Sequence, residues 1–145
     1  MTCLPWPTND NDALGLTFCE DYAAVFDSTM ARFWFFNQQA RDSIINLLET
    51  VPEGRILPDD ELKKMRTLFE DRYFGEIIFL VQEGVLIVPS HMGERPITAM
   101  HGYHPSDEQS FATLLTNRKE LPIEPKSIVD IYQLMEQEVG ALGHS

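Results

Sequence analysis

The residues best suited to chemistry in this sequence are histidines. Three of the four, His91, His101 and His104, fall in one polar stretch, and Asp107 and Glu108 lie just beyond them. Imidazole nitrogens and carboxylate oxygens are the donors that a borderline metal such as zinc takes up. The His101-x-x-His104 spacing matches no helix-based zinc signature, and on the residues alone a structural or solvated role is favoured. Gly102, directly after His101, permits a sharp turn or a close backbone approach, which suits a ligand at a loop tip and an ordinary turn equally well. Asp27-Ser28-Thr29 sets two hydroxyls beside a carboxylate, but Ser or Thr ahead of a helical stretch is more often a cap. Nucleophile elbow, P-loop and G-x-G-x-x-G motifs are missing, and Arg41, Arg55, Arg66, Arg72, Arg95 and Arg118 are scattered rather than clustered. Asp59-Asp60-Glu61 is most simply the acidic first turn of a helix.

Those residues must be positioned by the elements around them. Residues 1 to about 17, with their prolines and the run Asn9 to Asp12, read as an irregular lead-in to a single domain spanning 1–145. Tyr22 to Val25 suggests a strand, and Ser28 to Phe36 a helix or extended turn. Ala40, Ile44, Leu47, Leu48 and Val51 recur at helical spacing, so a helix is expected over about 38–50, and a second over about 59–69. Residues 76–81 and 85–89 are β-branched runs joined by Gln82-Glu83-Gly84, which reads as a hairpin with both faces covered. His91 to Gln109 is a long irregular loop, and such loops are uncommon unless functional. A last helix over about 127–139 has Ser127 as N-cap, Asp130 near capping-box position, and Ile128, Ile131, Leu134, Met135 and Val139 as its buried stripe. The fold class is therefore α/β or α+β, a mixed β-sheet with packed helices.

Bulk properties exclude some partners. With 11 basic against 23 acidic side chains the net charge is −12, which repels nucleic-acid backbones and anionic membranes. An anionic substrate would need a local positive centre such as a bound metal ion. Cys3 and Cys19 form no CxxC pair, and the N-terminus lacks a basic start and an apolar core. A cytoplasmic chain without a membrane span is expected.

The run from Tyr73 to Glu138 resembles the closing third of the catalytic domain of type I phosphodiesterases/nucleotide pyrophosphatases, a branch of the alkaline phosphatase superfamily. Gly75-Glu76-Ile77-Ile78-Phe79-Leu80, then Gly84-Val85-Leu86, then Met100-His101-Gly102-Tyr103-His104-Pro105 and finally Ser127 to Met135 stand in that family's order. The resemblance implies an α/β sandwich with a strand at residues 111–116. It also implies two-zinc hydrolysis of a phosphodiester by a Thr or Ser nucleophile, with His101 as a zinc ligand. The nucleophile and the remaining ligands of such enzymes match nothing here, so no catalytic residue is assigned. The expectation is a C-terminal portion or remnant that is not competent alone. An alternative is a small interaction or homo-oligomerisation module that uses the aromatic block Phe33 to Phe36 or an exposed sheet edge. A minimal metal-binding protein or hydrolase built on His91, His101 and His104 ranks last, because no motif places a nucleophile or general base.

Overall fold

The computed structural model describes residues 2–5 and 14–142. Contacts divide the chain into two compact units, Met1–Phe111 and Ala112–Ser145. The first is mixed α/β. Its strands are β1 (Thr2–Pro5), β2 (Tyr22–Phe26), β3 (Met30–Phe35), β4 (Gly54–Ile56), β5 (Ile77–Val81) and β6 (Val85–Val88). Its helices are α1 (Gln38–Glu49) and α2 (Asp59–Lys64). Four strands make an antiparallel sheet in the order β2-β3-β5-β4, and β1 and β6 make a separate parallel pair.

Period-two alternation gives the sheet two apolar faces. Ala31, Phe33, Phe79 and Val81 join one core with Ala40, Ile44 and Leu48 of α1. Ile78 and Leu80 point the other way and join Leu57 and Leu62, with Met30 packed against them. The two-sided cover expected of residues 76–81 is thus present. The α1 helix begins at Asn37, whose side-chain oxygen accepts from the Ala40 N–H at 2.8 Å. Gly54 is required where β4 crosses the core, because a Cβ there would stand 2.5 Å from the Phe79 ring and 2.8 Å from the Leu80 carbonyl.

Several expectations are corrected. Residues 76–81 and 85–89 form no hairpin. β5 already has β3 on one edge and β4 on the other, so β6 finds no free edge and pairs with β1 in the register Thr2↔Val85 to Pro5↔Val88. The lead-in expected to be irregular therefore holds a strand, while its residues 6–13 lie outside the described residues. Ser28 to Phe36 is no helix: its bulky alternating side chains favour the pleat, and β3 lies between two partners. The aromatic block is only partly covered: Phe33 is wholly buried, Trp34 and Phe35 are half-buried, and Phe36 is exposed by 58%. The second helix stops at Lys64 rather than 69, because Arg66 takes a left-handed φ of 59° and Thr67 N–H closes back on the Leu62 carbonyl.

The second unit carries α3 (Val129–Leu142). Asp130 accepts from the N–H groups of both Lys126 and Ser127 at 2.9 Å, which is the backward arm of a capping box. The stripe expected to be buried is mostly not. Leu134 is buried and Ile131 half-buried, whereas Ile128, Met135 and Val139 are exposed. Residues 111–116, expected as a strand, are extended coil exposed throughout. They pair with no strand among the described residues, and an unpaired strand leaves its backbone donors and acceptors to water.

Candidate functional site

The β2–β3 turn organises the histidine loop. Its three residues, Asp27, Ser28 and Thr29, cap no helix. Ser28 takes a φ of 63°, and the turn closes through the Asp27 N–H, which donates to the Met30 carbonyl at 2.7 Å. Asp27 then serves two partners. One oxygen accepts from Arg32 Nε at 2.8 Å, and Arg32 itself lies 4.5 Å above the Phe74 ring. The other lies 3.3 Å from His91 Nδ1, which also stands 3.1 Å from the Phe26 carbonyl. Two acceptors facing Nδ1 assign the proton of the neutral ring to that nitrogen, so the lone pair of His91 sits on Nε2. Ser28 Oγ bonds Ser90 Oγ at 2.7 Å, which fixes the start of the loop.

The same turn holds the loop's far end. Thr29 Oγ1 donates to the Gly102 carbonyl at 3.0 Å. Gly102 has φ +98°, and a Cβ there would stand 3.0 Å from that same hydroxyl, so glycine serves both conformation and clearance. Tyr103 is buried next door and its hydroxyl donates to the Val85 carbonyl at 3.0 Å. Burial pushes the Tyr103 phenol above its ordinary pKa. His101, directly before these two anchors, is exposed.

His104 is tied to α2. Its Nε2 lies 2.7 Å from Glu61 Oε1, and Nδ1 lies 2.6 Å from Ser106 Oγ. Nε2 is buried and approaches Glu61 without the alignment of a straight hydrogen bond. Glu61 is gripped by both terminal nitrogens of Arg55 at 2.6 Å. Those hydrogen bonds hold its carboxyl at about 2, with smaller help from His104, and they raise the Arg55 pKa in return. A cavity of about 560 Å³ opens beside this group, lined by Gly54, Arg55, Gln82, His104, Ser106 and Asp107 among others. Carboxylate, imidazole and hydroxyl stand here in the order that nucleophilic catalysis uses. However, the Ser106 N–H donates to the same Nδ1 at 3.2 Å. The Ser106 contact is therefore a local turn that orients the ring, and Glu61 is already committed to Arg55.

The three loop histidines thus go to different partners: His91 to the β2–β3 turn, His104 to α2, and His101 to the exposed tip. Among the described residues no group of three or more His, Cys, Asp or Glu is placed to hold a metal ion. A zinc site needs at least three protein ligands, and the described residues bring no such set together around His101. Asp107 lines the cavity with His104, while Glu108 opens a short 3-10 turn, Glu108–Ser110, on the surface. The roles of Thr29, Arg55 and Glu61 are absent from the sequence reading: Thr29 meets Gly102 and Glu61 meets His104 across long stretches of chain, and Arg55 reaches Glu61 only because β4 and the start of α2 fold back on each other over six residues. The Gly after His101 was the one local signal of a close approach. No helix among the described residues is long and apolar enough to cross a membrane. The chain matches no family model, no curated protein and no solved structure.

Proposed function

We propose that this chain is a C-terminal portion or remnant of a metal-dependent phosphodiesterase of the nucleotide-pyrophosphatase type, and that it is not catalytically competent alone. The observation that carries this reading is the treatment of the His101–Gly102–Tyr103 loop. Gly102 and Tyr103 are each fixed by a hydrogen bond to another strand or turn, while the histidine between the anchors and the solvent is left exposed. A loop serving only to connect has no need of two such anchors beside an exposed imidazole. The order of the motifs from Gly75 to Met135 supports the same reading. The coil at 111–116 does not contribute to it.

The test is hydrolysis of a chromogenic phosphodiester by the folded chain with added zinc, beside His101→Ala. The expected result is no hydrolysis above background from either protein. Activity in the parent chain that is lost in His101→Ala would overturn the claim of incompetence, and would mean that ligands are recruited from residues not grouped in this structure.

A further inference from the structure

We propose that the outer face of α3 is a docking surface for a basic amphipathic helix supplied by another polypeptide. Ile128, Tyr132, Met135 and Val139 are exposed by 83%, 73%, 61% and 68%. Ile128 stands just before α3, and Tyr132, Met135 and Val139 within it follow at spacings of four, three and four residues, so the four continue one apolar stripe, the pattern of a coiled-coil seam. Leu134, the buried residue, projects from a different side. The helix therefore packs through one face and leaves a second apolar face in water. A run of large apolar side chains this exposed marks an interaction site rather than scattered surface residues.

Charge selects the occupant. The segment Val129–Leu142 contains Asp130, Glu136 and Glu138 and no lysine or arginine. At helical spacing Glu136 and Glu138 fall on opposite flanks of the stripe. Glu138 is paired with Arg118 at 2.5 Å, and Glu136 is exposed and makes no ion pair among the described residues. A second copy would bring another unpaired Glu136 and a second net charge of −12 to the same seam. Anionic lipid is repelled by the same sign. A helix with an apolar stripe bordered by Lys or Arg satisfies the seam and the one free flanking carboxylate, Glu136, since Glu138 is already held by Arg118. This inference stands apart from the phosphodiesterase reading, since it uses none of the histidine-loop residues.

The experiment measures fluorescence anisotropy of a labelled amphipathic Leu/Lys helical peptide with the full chain at physiological salt, beside a Leu/Glu peptide of the same pattern. The Leu/Lys peptide is expected to bind and the Leu/Glu peptide not to. Tyr132→Ser with Met135→Ser, both at exposed positions and checked for an unchanged circular dichroism spectrum, should weaken binding roughly tenfold or more. Glu136→Lys should weaken it about threefold. Equal binding to the double variant would show attraction by net charge alone and overturn the proposal. So would self-association in sedimentation that the same variant abolishes, which assigns the face to a second copy. Binding of the chain to lipid vesicles through these residues would overturn it as well.

Discussion

The β2–β3 hairpin and α3 are both rich in large apolar side chains and dispose of them in opposite ways. Phe33 lies wholly buried between α1 and the facing strands, stacked near Phe35 and edge-on to Phe26. Tyr132 and Met135 stand in water. Residue type does not separate the two regions; the supply of partners does. In the hairpin each strand has a neighbour to pair with, so alternation translates into a core. In the second unit a correctly spaced stripe exists and its residues are exposed. Amphipathic spacing reports which residues share a face, and says nothing about whether that face is covered.

The largest expected effect tests that contrast directly. Phe33→Ala should destabilise the first unit by about 3–5 kcal/mol, because it opens a cavity where the aromatic contacts converge. Met135→Ala, on the exposed stripe, should change stability by no more than about 0.5 kcal/mol. Urea denaturation of both variants measures this. A Met135→Ala loss comparable to that of Phe33→Ala would mean that α3 is packed in solution, and would remove the docking face.

A second pair of substitutions sharpens the comparison within the histidine loop. Tyr103→Phe leaves the Val85 carbonyl without its phenolic donor and should cost about 1–2 kcal/mol. Thr29→Val removes the bond to the Gly102 carbonyl and should cost about 1 kcal/mol or less. The distinguishing readout is amide hydrogen exchange over residues 100–104, which should speed up in both variants while β3 and β5 stay protected. Uniform acceleration across the first unit would show that these bonds support the global fold instead of fixing the loop.

The limits of reading this chain from its residues follow the same line. Helices α1 and α2, strand β5 and the loop around His101 were readable from spacing, caps and glycines. The pairing of β6 with β1 was not, because it depends on both edges of β5 being taken, a property of the assembled sheet. Nor was the role of Asp27-Ser28-Thr29. Its hydroxyls suggested a cap, and only the approach of Ser90 and Gly102 shows what they hold. Glu61 belongs to an acidic helix start that its neighbours announce, yet its contact with His104, far along the chain, is invisible at that level. Local chemistry was legible and long-range pairing was not.

The smallest effect concerns that same Glu61, and its sign can be worked out. Its carboxyl titrates at about 2 in the folded chain against an ordinary value of 4.5, chiefly because Arg55 hydrogen-bonds the ionised form. A depressed folded pKa means that the contribution is fully present above 4.5 and is lost as pH falls from there towards 2. Arg55 is about half exposed, so the pair is screened by solvent and its contribution at neutral pH should stay below about 1 kcal/mol. Glu61→Gln should therefore leave stability at pH 7 nearly unchanged and flatten the acid limb of its pH profile between about 4.5 and 2. The variant also removes the carboxylate beside His104 Nε2. If charge held the loop, exchange over residues 100–104 would rise with Glu61→Gln as much as with Thr29→Val. If the anchors at Gly102 and Tyr103 hold it, exchange rises only with Thr29→Val, and the loop that displays His101 is fixed by neutral hydrogen bonds that pH does not touch between 4.5 and 7.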